Sequence, residues 1–85
     1  MKIWGRTKED NVIMKSITVT WPAKTAGDVE DWSEPFAKLC HEMDVSRPVI
    51  LKKHVRDLEQ FGSTAFRPAD FLEPVNFDKF EVELF

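Results

Sequence analysis

The order of the apolar patterns constrains this chain most. Period-two alternation runs over Lys2 to Lys8 and again over Val12 to Trp21. Apolar residues then recur in steps of three and four at Val29, Trp32, Phe36, Leu39, Cys40 and Met43. A short apolar run, Val49 to Leu51, and a second helical stretch, Lys52 to Phe61, come next, and alternation returns at Phe80, Val82 and Leu84. Alternation marks half-buried strands and the three–four spacing marks one face of a helix. The pattern predicts one α+β domain over residues 1–85: an N-terminal β-hairpin, one main helix on a mixed sheet, a short strand, a short second helix and a closing C-terminal strand.

Local signals set the expected boundaries. Glu9-Asp10-Asn11 reads as a three-residue hairpin loop, since Asn tolerates the left-handed conformation such a turn needs. That loop pairs Ile3 with Ile17, Met1 with Val19 and Thr7 with Ile13. One face then carries Met1, Ile3, Ile13, Ile17 and Val19. The other carries Lys2, Trp4, Arg6, Lys8, Met14, Ser16 and Thr18. A two-residue turn would shift the register by one and mix the faces. The main helix is expected over about Asp28 to Asp44, bent at Pro35, because its apolar stripe begins before the proline. Pro48 stops it, Val49-Ile50-Leu51 forms the short strand, and Gly62 ends the second helix. The stretch from Ser63 to Asn76 is expected to lie irregularly, or as a short strand, over the core.

That element order resembles the β-grasp architecture of ubiquitin-like domains. The resemblance implies a closing strand parallel to the first in the sheet centre and a helix across one face. It implies no conjugation, because the chain ends at Phe85 without a Gly-Gly tail. From Cys40 onward, Asp44-x-Ser46-Arg47-Pro48-x-x-Leu51, the phenylalanines at 61, 66 and 71, and Phe77-Asp78 are similar to a family of short uncharacterised bacterial proteins, as is the Lys-Ile-Trp-Gly start. Members of that family tend to continue into an acidic tail. The family has no assigned activity, so the resemblance carries over no site.

Composition narrows the function. With 42% apolar and 32% charged residues, the chain is globular, and a domain this small has little volume for a deep pocket. One cysteine permits no internal disulfide, which suits a reducing compartment. No apolar run approaches the roughly 20 residues that span a bilayer, and Met1-Lys2-Ile3-Trp4 reads as strand, not as a secretion signal. A cytoplasmic protein without membrane contact is expected. The net charge of −3 argues against a general nucleic-acid binder. The charge is blocked, however: residues 1–24 carry five basic and two acidic groups, 25–46 one and six, 47–67 five and two, 68–85 one and five.

Candidate chemistry is sparse. Cys40 falls late on the apolar stripe of its helix, where the dipole disfavours a thiolate, so a buried structural role is expected. Cys40, His41 and His54 lack zinc-site spacing, and neither metal nor cofactor is expected. His54, expected to be solvated, has an ordinary pKa near neutrality. No nucleophile–base pair can be drawn, so the sequence predicts a non-enzymatic protein-interaction module, binding a partner protein or a second copy. Trp4, Arg6 and Met14 are its candidate contact residues, on the sheet face that the helix leaves bare. The alternative is nucleic-acid or phosphate-ligand binding through the basic segment Arg47 to Arg56, with Arg47, Lys52, Lys53 and Arg56 as contacts.

Overall fold

The hairpin explains how the two faces of the sheet are kept apart. A computed structural model describes all 85 residues. Strand β1 (Lys2–Glu9) pairs antiparallel with β2 (Val12–Thr20), but the connecting turn has two residues, not three. Asp10 and Asn11 both take positive φ, 51° and 66°, the geometry of a two-residue turn that matches strand twist. Such a turn sets Glu9 opposite Val12 and Lys8 opposite Ile13. The register then slips between Thr7 and Lys8, so that Thr7 faces Lys15, Gly5 faces Ile17 and Ile3 faces Val19. Met14 is the extra residue, a β-bulge that restores the odd-with-odd pairing the turn alone would have broken. The bulge, added to the shorter turn, moves every expected pair by two residues. It also leaves Ile13, expected in the core, 49% exposed on the side of Lys8.

Helix α1 spans Ser33–Met43 and not Asp28–Asp44. Pro35 therefore falls in the first turn, where no intrahelical donor is lost, and the expected bend does not arise. Asp31 fixes this start: its Oδ1 accepts from the Ser33 amide at 3.0 Å and the Ser33 hydroxyl at 2.7 Å. The hydrogen bonds from Ser33 lower the Asp31 pKa. A separate 3₁₀ turn, Ala26–Asp28, and the following chain still deliver Trp32 to the core. Asp44 closes the helix in the left-handed region, and Lys15 Nζ from β2 donates to the Met43 and Asp44 carbonyls at 3.0 and 3.3 Å. A cation there complements the negative end of the helix dipole.

Val49-Ile50-Leu51 forms no strand. Its donors are committed elsewhere: the Val49 amide donates to the Asp70 carbonyl, and the Leu51 amide to His54 Nδ1. Leu51 is the N-cap of helix α2 (Lys52–Phe61), which ends at Gly62 with φ 70°. Phe61 is 73% exposed, because residues three apart drift around a helix, so Val55, Leu58 and Phe61 fan over about 120° of its surface. The buried pair is His54 and Leu58, one turn apart.

The third strand follows α2: β3 (Ser63–Phe66) pairs antiparallel with β4 (Lys79–Leu84), and β4 pairs antiparallel with β1. The order β2-β1-β4-β3 is thus wholly antiparallel, where a mixed sheet with a parallel closing strand was expected. Moving the short strand from before α2 to after it lets residues 67–78 fold back and bring β4 in reversed. This direction departs from the β-grasp arrangement. The result is an α+β domain: one four-stranded antiparallel sheet and two helices. No helix is long and apolar enough to cross a membrane.

One face of the sheet carries the core: Ile3, Val19 and Val82 against Trp32, Phe36, Leu39, Cys40 and Met43 of the α1 region. An aromatic cluster joins the two helices, with Phe66 5.5 Å from Phe36 edge to face and 5.9 Å from Phe80. Phe71 and Phe77 close it from the 67–78 segment, their rings 5.3 Å apart. Gly5 sits beneath Leu39 and Met43 of α1. A Cβ there would meet Leu39 Cδ2 at 2.8 Å and Met43 Sδ at 2.9 Å.

Candidate functional site

Both helices pack on one side, so the strands' other face has no element over it. Cross-strand register builds that face in rows. Trp4 lies between Thr18 and Glu83, Arg6 between Ser16 and Glu81, and Lys8 between Ile13 and Lys79. Trp4 and Arg6 thus occupy the sheet centre, opposite the buried Ile3, Gly5 and Thr7. Trp4 Nε1 donates to Ser16 Oγ at 2.6 Å, which leans the indole towards β2. The Arg6 guanidinium carbon stands 4.2 Å above the Trp4 ring, within cation–π range.

Glu81 organises the charges. Arg6 Nε donates to its Oε1 at 2.6 Å, and the Lys8 and Lys79 ammonium groups approach at 3.0 Å each. Arg6 Nη2 reaches Glu83 at 3.4 Å. Partial burial pushes the Glu81 carboxyl up. The hydrogen bonds from Lys8, Lys79 and Arg6 outweigh that and hold its pKa at about 2. A carboxylate so tightly held is a poor proton donor or acceptor near neutrality. Arg6 Nη1 is buried without an acceptor. The arrangement is a largely self-neutralised charge cluster beside an aromatic centre.

Met14, the third residue expected here, lies in the bulge of β2 and is 47% exposed. With Val12 and Ile13 it forms three consecutive exposed apolar residues beside the hairpin turn. Strand β2 is also an edge of the sheet, nine residues long. The pairing of Lys2 with Phe85 shows that β1 residues 2, 4 and 6 bond towards β4. Their β2 partners, Ser16, Thr18 and Thr20, therefore direct their backbone groups outward. Lys38 Nζ covers the Thr20 carbonyl at 3.1 Å, which leaves the Ser16 and Thr18 groups at the open edge.

The basic segment divides. Arg47, Lys52, Lys53 and Arg56 are exposed, and none takes part in an ion pair; all four ion pairs of the chain lie on the open sheet face. His54 does not join them. It is buried, accepts the Leu51 amide at Nδ1 at 2.9 Å, and lies 4.2 Å from the Phe66 ring. Burial lowers its pKa despite Asp70 and Asp57 nearby. No local signal marks this, because a histidine at the third position of a basic helix reads as solvated until its ring is seen to serve as the cap acceptor. Lys52 and Arg56 line a groove of about 510 Å³ with Ile50, Leu51, Val55, Glu59 and Gln60. Arg47 and Lys53 lie outside that lining.

Cys40 is fully buried on α1, and desolvation pushes its thiol up to about 12 although Arg47 pulls the other way. His41 is exposed on the same helix, so Cys40, His41 and His54 diverge. No three His, Cys, Asp or Glu side chains converge as metal ligands would. The chain matches no protein family, no curated protein and no solved structure with which it was compared.

Proposed function

We propose that this domain is a non-enzymatic protein-interaction module that works through its bare sheet face beside the β2 edge, contacting a partner protein or a second copy with Trp4, Arg6 and Met14. The carrying observation is that Trp4 and Arg6 stand at the centre of a face that no element of the chain covers. Aromatic and arginine side chains dominate contact energetics. The exposed apolar residues at 12–14 extend the surface along an unpaired strand edge. A lone buried thiol and no disulfide fit action in the cytoplasm.

Cross-linking of the tagged chain in its native extract tests this. A specific partner, or a second copy, should be captured by the native chain and lost by roughly tenfold or more with Trp4→Ala or Met14→Ala. Both variants should keep the native circular dichroism spectrum. Equal capture by folded variants would overturn the assignment. A second reading, phosphate or nucleic-acid binding by Arg47, Lys52, Lys53 and Arg56, is favoured by the lack of an intramolecular partner for any of the four. Its mark is steep weakening as salt rises.

A further inference from the structure

Strand β2 is a long sheet edge that is open only in part. It runs nine residues, against four for β3 at the other edge. Ile17 and Val19 turn their backbone groups to β1, so Ser16 and Thr18 direct their amides and carbonyls away from the sheet. The open stretch has a stop at each end. The bulge at Met14 breaks the ladder on one side, and Lys38 Nζ occupies the Thr20 carbonyl on the other. What remains, Lys15 to Val19, is centred on Ile17. A charged side chain often guards such an edge. Lys15, the one charge on β2, is instead drawn over the end of α1 by the Met43 and Asp44 carbonyls.

A stretch centred in this way pairs with itself. Antiparallel alignment about a two-fold axis at Ile17 sets Ser16 of one copy against Thr18 of the other, and the reverse. Each pair then exchanges both of its hydrogen bonds. Centring on Ser16 would bring the bulge into the ladder, and centring on Thr18 would bring in the covered Thr20 carbonyl. Only the Ile17 register uses every open group. It also sets Ile17, half-buried in the single chain, against its own copy, and a two-fold contact of this kind closes at a dimer. The helices agree with it. Lys38 and Glu42 are exposed one turn apart on α1, and the Gly5–Ile17 row lies beneath Leu39 and Met43. The axis therefore runs the two α1 helices antiparallel and brings Lys38 of one copy towards Glu42 of the other. Glu34 lies a turn further out, and Asp44 lies at the end of α1 that faces Lys38. An unrelated extended peptide could reach the same backbone groups, but this chain's own β2 matches both stops and the charges of α1.

We propose that two copies of this chain join edge to edge through β2, merging their four-stranded sheets into one antiparallel sheet with Ile17 on the two-fold axis. This contact deepens the interaction reading above, on which it rests for the use of the β2 side. It lies at the strand edge and not at Trp4.

Sedimentation of the native chain should show a monomer–dimer equilibrium with a Kd of about 1–100 µM. Hydrogen exchange followed by NMR gives the direct readout. The Ser16 and Thr18 amides should exchange freely in dilute solution and slow about tenfold or more where the dimer dominates. Thr18→Pro removes an outward donor without touching the β1 ladder, and should weaken the dimer about tenfold or more. Ile17→Cys reads the register, since opposed residues of a non-hydrogen-bonded pair lie about 4.5 Å apart, within disulfide reach. It should oxidise to a covalent dimer, and Thr20→Cys should not. Circular dichroism checks that each variant is folded; if one is not, exchange on the native chain decides alone. A monomer at about 1 mM, or an edge that pairs only with an added strand peptide, would overturn the proposal. So would a dimer whose Ser16 and Thr18 amides still exchange freely; its loss with Trp4→Ala would keep the interaction reading and move the contact to the sheet face. A dimer kept by Trp4→Ala and Met14→Ala, with Ser16 and Thr18 protected, would support the edge contact and overturn the sheet-face assignment.

Discussion

At the scale of single residues, close approach and register decide what each position tolerates. Gly5 is glycine because α1 lies directly over it: the first side-chain atom of any other residue would fall within 3 Å of Leu39 and Met43. Gly5→Ala should therefore destabilise the domain by about 1–3 kcal/mol, the range for overpacking a filled core. Urea unfolding measures it; a change under about 0.5 kcal/mol would show that α1 is free to move away. The alternation of β1 predicted that Trp4 and Arg6 share one face. It could not predict that Ser16, Glu81 and the Arg6 guanidinium hold the indole in place, because those contacts cross the sheet.

At the scale of elements, the hairpin and α2 both show local chemistry outweighing pattern. Asp10 and Asn11 occupy the left-handed region, which costs a non-glycine residue strain that glycine avoids. Asn11→Gly should stabilise the hairpin by up to about 1 kcal/mol, since Asn-Gly and Asp-Gly are the favoured pairs for this turn; a rise in the urea midpoint without a change of slope would register it. Helix α2 is capped by a ring nitrogen that must stay unprotonated to accept the Leu51 amide. The folded His54 pKa lies below its ordinary 6.5, so the unfolded chain binds the proton first. The resulting stabilisation is complete above about pH 6.5 and is lost as pH falls below it towards the folded value. His54→Asn keeps an acceptor at that place without a titrating ring. Its stability should lose the pH dependence that His54 gives the native chain as pH falls below about 6.5; an unchanged slope would assign the titration to another group.

At the scale of the whole molecule, two surfaces carry charge in opposite ways. The bare sheet face pairs its charges in direct contact around Glu81, whereas the cations of α2 share their helix with Asp57 and Glu59 but form no ion pair. Glu81 has a folded pKa of about 2 against an ordinary 4.5. Its contribution to stability is present above about pH 4.5 and lost as pH falls through 2. Glu81→Gln should flatten stability over that window and lower it at neutral pH, since three cations lose their shared carboxylate. A pH series of urea unfolding curves reads both effects, and a parallel curve for the variant would refute the link.

Local pattern was enough to identify the type of most elements. Alternation identified β1, β2 and β4, the three–four spacing identified α1 and its buried stripe, and Gly62 marked the end of α2. These signals are local, because side chains on one face of an element must share one environment. The direction of β4, the place of β3 and the bulge at Met14 depend on which strands meet, and strand pairing brings together residues as distant as Arg6 and Glu81. Pro35 and Val49–Leu51 were each compatible with two local structures. Short-range side-chain bonds, not the apolar pattern, chose between them: Asp31 holds the Ser33 amide at the start of α1, and His54 takes the Leu51 amide. The candidate surfaces follow the same division. Trp4 and Arg6 on a common face were legible in the strand period, while the α2 groove arises only where the turn before the helix folds against it.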